Sequence, residues 1–182
     1  MISLREAGLG LEYGHLELAV VTADWVDIGH ELAGEVASTL GLLVHAVEHI
    51  GSTAVTGLLA KPIVDLALGY TAAATRGEVE SALAGHGWAF RGDAGAEGGH
   101  IYVLEAEPAV RVAHAHGVAH AGPQWNRYIE FRDLLRCDPS ARQAYAETKA
   151  RLLGDLTGND VRKRYTDQKT PVVNSLLRGL AD

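Results

Sequence analysis

A single cysteine, Cys137, and the lack of any long apolar run set the first bounds on this 182-residue chain. One thiol cannot close an internal disulfide, so a reducing cytoplasm is the expected compartment. A membrane span needs about 18–20 consecutive apolar residues, and no such stretch occurs. Residues Met1 to Gly10 also lack the charged-then-apolar pattern of a secretory leader. Basic residues are few, 16 against 23 acidic ones, and a net charge of −7 argues against a nonspecific nucleic-acid coat. Apolar residues, by contrast, make up 47% of the chain, enough for a sizeable core, which excludes global disorder. A chain of this length is expected to form one domain of about 100–200 residues, or one domain with a helical appendage.

The charge is unevenly spread. Residues 1–126 hold five Lys/Arg against fifteen Asp/Glu, whereas residues 127–181 hold eleven against seven. An acidic front and a basic back suit a site where a cation meets a phosphate. The plainer account is a set of solvated helices with basic outer faces.

Periodicity predicts the elements. Leu9–Val21 alternates imperfectly, as an edge strand or hairpin does. From Ala23 to Leu40, Trp25, Ile28, Leu32, Val36 and Leu40 recur every three or four residues, a helix with one buried stripe that Gly41 ends. Val44–Ile50 reads as a strand and Ser52–Ala60 as a short helix or turn-helix. Ile63–Tyr70, apolar apart from Asp65, reads as a buried central strand. A helix over Thr75–His86, a strand at Trp88–Arg91 and a Gly-rich loop over Gly92–Gly99 follow. Strands His100–Glu105 and Val110–Val118 flank a turn at Pro108. Helices are predicted over Pro123–Arg136, from the Asp138 cap to Leu153, and over Asn159–Leu180, with a kink or restart at Thr170-Pro171. This is an α+β arrangement, with residues 1–122 as the mixed core and 123–182 as a helical region packed on it.

The chemistry concentrates at Val47-Glu48-His49-Ile50-Gly51-Ser52, followed thirteen residues later by Asp65. A strand ending in Gly-Ser at the start of a helix presents N–H groups and a hydroxyl to an anion. A carboxylate on the adjacent strand can hold a divalent cation against the same phosphates. A buried Asp65 also demands a charge partner or a metal.

The run His49-Ile-Gly-Ser-Thr-Ala-Val-Thr-Gly-Leu-Leu-Ala-Lys-Pro-Ile-Val-Asp65 closely resembles the signature of the GrpB family, also called UPF0157, a branch of the nucleotidyltransferase superfamily. The likeness continues through Arg91-Gly-Asp-Ala-Gly95, His114-Ala-His116, Trp125, Phe131-Arg-Asp-Leu-Leu-Arg136, Tyr145 with Lys149, and Tyr165 with Lys169. It implies a nucleotidyltransferase-like mixed sheet with flanking helices and a helical C-terminal third. It makes Gly51 and Ser52 the phosphate-binding turn, Asp65 the first metal carboxylate and Lys61 a cofactor contact. The chain departs from the pattern in three places. Ala67 stands where the superfamily carries a second carboxylate, a loss the family shares. Thr56 replaces a common proline, and Gly99-His100 stands where basic residues are frequent.

His114 and His116 are two apart on a strand and therefore share a face. They can be two ligands of one metal, or one ligand and one general base; solvent-facing strand histidines are the plainer account. A histidine-triad hydrolase would need histidine at Val118, and a cupin a glycine at Pro108, so neither motif is met. His120 is expected in a turn. Arg132, Lys149 and Lys169 can converge on phosphate, although Arg132 can instead pair with Asp133 or Asp138. Trp25 and Trp125 are expected as core anchors, and Cys137 as inert.

The expected function is an enzyme that uses ATP or another NTP with Mg2+ or Mn2+ to nucleotidylate or activate a small-molecule acceptor. Asp65, Ser52 and His116 would be catalytic. Asp65, His114 and His116 would hold metal, and Gly51, Ser52, Lys61, Arg132, Lys149 and Lys169 the nucleotide. Three alternatives stay open: an amide-forming ligase acting through an acyl-adenylate, a binding module without catalysis, and a Zn2+ enzyme built on the imidazoles.

Overall fold

The computed structural model describes residues 3–93, 99–155 and 161–179, with side chains left out for 154–155 and 161–169. In chain order the elements are β1 (Leu11–Glu12), β2 (Ala19–Val20), α1 (Ala23–Leu40), β3 (Val44–Ile50), β4 (Leu59–Ala60), β5 (Val64–Tyr70) and α2 (Arg76–Ala84). They continue with β6 (Trp88–Asp93), β7 (His100–Glu107), β8 (Val110–Ala119), α3 (Pro123–Cys137), α4 (Pro139–Asp155) and α5 (Val161–Arg178). The α+β class is as the alternation of periods implies.

The main sheet runs β3-β5-β8-β7-β6, and β1 pairs with the start of β8. β5 and β8 are parallel, while β3–β5, β7–β8 and β6–β7 are antiparallel. One face carries the larger core. There Leu66 and Leu68 of β5, Tyr102 of β7 and Ala113 and Ala115 of β8 pack against Trp25, Ile28 and Leu32 of α1 and Val79 and Leu83 of α2. The opposite face meets α3, with Ile50, Ala67, Val118 and Trp125 as a second apolar cluster. A third joins Val55 and Leu58 to Phe131, Leu135 and Tyr145, with Val172 and Val173 of α5 against it. That face is where the site lies.

Caps explain the helix ends. Thr22 Oγ1 accepts from Trp25 N to start α1, Thr75 and Glu78 form a reciprocal capping box on α2, and Asp138 accepts from Ser140 N and Ala141 N at α4. Trp25 and Trp125 are buried, as expected of anchors. The Trp125 ring packs at a tilt against His120, which occupies the turn after β8. Among the described residues no helix is long and apolar enough to cross a membrane.

Four expectations change. Leu9–Val21 is no hairpin: β1 joins β8 and β2 joins β4, and Gly14, at positive φ, lies where the chain leaves one sheet for the other. Ser52–Ala60 holds one three-residue 3-10 turn and then β4, so no helix dipole stands behind the Gly-Ser turn. The strand after α2 runs on to Asp93, and residues 94–98 of the Gly-rich loop lie outside the described residues. Pro171 lies inside one continuous α5 rather than at a restart.

His49 links the sheet to α1. Its ring occupies the space beside Gly29, where any Cβ would overlap the imidazole, and its Nε2 is 3.1 Å from Thr53 Oγ1. Burial, reinforced by nearby His30, pushes the His49 pKa down to about 4. The folded state therefore keeps His49 neutral at a pH where the unfolded chain binds a proton. The stability this residue contributes is whole above about pH 6.5 and is lost as pH falls from there toward 4, by roughly 3 kcal/mol. We expect Tm, followed by circular dichroism, to drop across that window, and His49→Gln to flatten the slope; an unchanged slope in the variant would place the acid sensitivity elsewhere.

Candidate functional site

β5 and β8 lie side by side in parallel register with Asp65 opposite His114 and Ala67 opposite His116. Side chains two apart on a strand point the same way, so Asp65, His114 and His116 converge on the α3 face of the sheet. Asp65 Oδ1 is 3.5 Å from His114 Nδ1 and 3.6 Å from His116 Nε2. The Asp65 side chain retains 33% of its surface and opens into a cavity, so this acid is not packed in hydrocarbon. Burial works to raise its pKa, but hydrogen bonds and charge from His114 and His116 outweigh that, and the carboxyl stays ionised well below the ordinary carboxylate range.

The three donor atoms lie within 4.8 Å of one another. Tetrahedral ligands of a first-row divalent ion are about 3.3 Å apart, so one carboxylate and two imidazoles fit such an ion with little adjustment. Both histidines stand at nearly equal distance from Asp65, which favours the shared ligand set over a division into ligand and base. Ala67 lies beside His116 in register, so the imidazoles of β8 stand next to the strand position that lacks an acid.

Ile50, the last residue of β3, pairs with Asp65, so the turn that follows passes directly beside the carboxylate. Gly51 makes this possible. Its φ is 70°, and a Cβ there would sit 2.9 Å from Asp65 Oδ2. Ser52 follows, and its Oγ accepts a 2.8 Å bond from Lys149 Nζ of α4. Lys149 also donates to the Leu59 carbonyl and lies 4.5 Å over the Tyr145 ring. At 2% exposure this ammonium is held in a dry wall, where its field reaches further than at a surface.

Gly51, Ser52, Lys61, Asp65, His114, His116 and Lys149 all line one cavity of about 590 Å3 between the sheet and helices α3, α4 and α5. Arg91, Arg111 and Arg127 line it too, and Arg127 donates to Asn174 of α5. Among the described residues that line it, Asp65 is the one acid beside five Lys and Arg side chains, although the chain as a whole is acidic.

Two of the expected nucleotide contacts are not placed in it. Arg132 is not a cavity residue: it donates to Glu48 at 2.7 Å, to Asp133 at 2.8 Å and to the His49 carbonyl at 3.3 Å. Its charge is used to tie α3 to β3, and of the two acids the sequence offered it, Asp133 and Asp138, it bonds Asp133. Lys169 falls in α5, but its side chain lies outside the described residues, as does that of Tyr165. Sequence reasoning missed Arg111, Arg91 and Tyr13. Arg111 had a signal: it falls at the alternation of Ala113 and Ala115, which face the core, where a charged side chain does not belong.

The sequence model of the family described as GrpB protein matches residues 15–178. The chain belongs to the GrpB family. A UPF0157 protein of Deinococcus radiodurans is 34% identical over 138 residues, covering 74% of this chain and 67% of its own length. A UPF0157 protein of Pseudomonas aeruginosa is 35% identical over 153 residues, 82% of this chain and 61% of that protein. This GrpB chain thus spans about two thirds of the length of these two relatives. The crystal structure of conserved protein GrpB from Enterococcus faecalis superposes with a TM-score of 0.74 at 23% identity, over 91% of this chain and all of that one, so the GrpB fold is shared.

Proposed function

We propose that the chain binds a nucleoside triphosphate, ATP or another, together with a divalent cation, and transfers the nucleotidyl group to a small-molecule acceptor. The observation that carries this reading is the donor set of Asp65, His114 and His116 facing a cavity in which, among the described residues, every other charged side chain is Lys or Arg, with the Ser52–Lys149 pair on one side. A lone carboxylate among imidazoles favours Mn2+ or Zn2+ over Mg2+. Such an ion, when bound, supplies charge neutralisation at the α-phosphate.

The protein's own groups divide the remaining work. Asp65, kept ionised, and the two imidazoles set the position of the reacting phosphate. Ser52 and Lys149 hold the β- and γ-phosphates, and the Lys149 ammonium stabilises the charge that develops on departing pyrophosphate. The buried Tyr145 and Phe131 exclude water from that side. An oxygen of the acceptor forms a bond to the α-phosphorus as the bond from that phosphorus to the bridging oxygen breaks, and pyrophosphate leaves with the electron pair. A carboxylate acceptor enters ionised and yields an acyl-adenylate, from which an amine could form an amide; the same first step therefore serves the ligase reading.

Calorimetric titration of the full chain with ATP, metal-free and with Mn2+, Mg2+ or Zn2+, tests this. Binding is expected to tighten at least tenfold with metal, and pyrophosphate release to follow with a matching acceptor. Failure of ATP to bind with any of the three ions would remove the reading. Tight binding with no pyrophosphate across hydroxyl, amine and carboxylate acceptors would leave a binding module.

A further inference from the structure

Arg111 is 5% exposed, lines the cavity, and has two guanidinium nitrogens, Nε and Nη2, buried with no hydrogen-bond partner among the described residues. These two form one edge of the group, the pair of parallel donors that grips a carboxylate or phosphate. Buried donors are satisfied in folded proteins with few exceptions, and an orphaned pair on one edge marks the place of a missing acceptor.

The sheet is built to aim this side chain. Leu104 of β7 faces Ala113 of β8, but Glu105 faces Arg111, so Val112 is the extra residue of a β-bulge. The bulge shifts the alternation by one and brings Arg111 onto the face of His114 and His116 instead of the core face of Ala113 and Ala115. Tyr13 then lies under the guanidinium, 4.0 Å from its carbon. The acid opposite, Glu105, is taken up by the Tyr13 hydroxyl at 2.7 Å and Arg91 at 3.1 Å and forms no ion pair with Arg111. The arginine is stacked on Tyr13, while its Nε–Nη2 edge meets no acceptor among the described residues.

We infer that Arg111 is the receptor for an oxyanion, a carboxylate or a phosphate group, of the acceptor substrate. This rests on the reading that the triphosphate lies at Ser52 and Lys149. Ser52 follows the end of β3 and Arg111 precedes the stretch of β8 that pairs with β5, two strands away, a lateral separation of about 10 Å with Asp65 on the strand between. In-line displacement brings the attacking oxygen from the side opposite the leaving pyrophosphate. An anion site across the donor set from Lys149 is therefore on the acceptor's side. Tyr13 stacks on the face of the guanidinium rather than bonding its Nε–Nη2 edge, so the edge that would meet the anion is not the one Tyr13 occupies.

The test uses the full chain loaded with Mn2+ and a nonhydrolysable ATP analogue, titrated separately with succinate and with inorganic phosphate. Wild type is expected to bind at least one of them, and Arg111→Met to weaken that binding tenfold or more while analogue affinity stays within twofold. Because the arginine edge is unsatisfied, Arg111→Met should also keep Tm or raise it by about 2–4 °C. Dependence in the succinate arm assigns a carboxylate acceptor, and in the phosphate arm a phosphorylated one; either supports the receptor. Should Arg111→Met fail to fold, Arg111→Lys keeps the charge but lacks the fork and should lose the same binding. The assignment is overturned if neither probe binds wild type, if analogue affinity falls as far as probe affinity, or if Arg111→Met melts several degrees lower with probe binding intact. If ATP fails to bind while a probe still depends on Arg111, the transferase reading falls and the anion receptor stands.

Discussion

Replacing Asp65 by asparagine is expected to reduce nucleotide turnover by about 1,000-fold or more and to remove metal-stimulated ATP binding. The change keeps the size and shape of the side chain and deletes only its charge. It leaves two imidazoles, 3.5 and 3.6 Å from the altered oxygen, with no anionic partner at the centre of a cationic cavity. A divalent ion then meets a neutral donor set ringed by positive charge. Folding should survive, because the group opens to the cavity and its strand is secured by Leu66 and Leu68 on the opposite face. Metal titration of wild type and Asp65→Asn, followed by pyrophosphate release, measures both effects. Equal metal affinity in the two proteins would show that the donor set holds no functional ion. His114→Ala and His116→Ala should each lose less, since each leaves the carboxylate in place.

The second large effect is expected at Lys149. Its ammonium bonds Ser52 Oγ and the Leu59 carbonyl from a position 2% exposed, so Lys149→Met keeps the volume of the stem while removing the charge. Triphosphate affinity should fall roughly 10- to 100-fold, the range for charge-assisted bonds lost from a desolvated site. Lys149→Arg should not restore it, because a planar fork does not fit around two acceptors placed for a compact ammonium. Ser52→Ala should cost less than Lys149→Met, because the ammonium keeps its bond to Leu59. Calorimetry with ATP and Mn2+ ranks the three variants; wild-type affinity in Lys149→Met would move the triphosphate away from this wall.

The order of elements was legible because it rests on local rules. The stripe from Trp25 to Leu40, the Asp138 cap and the apolar run around Asp65 each declare themselves within a few residues. The Asp65–His114–His116 cluster was legible in part: alternation puts both histidines on one face, and the family likeness links that pair to Asp65, but strand order alone makes them neighbours. What could not be read depends on long-range register. Arg132 looked equally suited to phosphate and to an acid, and its choice of Glu48 follows from where α3 crosses β3, 84 residues away in sequence. The Gly-Ser turn was read with a helix behind it, because small residues from Ser52 onward suit one, yet the chain needs Leu59 and Ala60 as a strand for β2. Arg111 gave a signal only as a charge out of place in the alternation; that one unpaired valine turns it to the site face could not be read without the register.

That valine has a consequence for how the family can diversify. The donors at His114 and His116 and the side chain at position 111 lie on opposite sides of an irregularity, so they follow separate phases of one strand. A relative with a regular strand here would turn whatever residue it carries at this position toward α1 and α2, and the far wall would lose its lining without any movement of Asp65. Selectivity and chemistry can in this way drift independently along β8, one residue count apart.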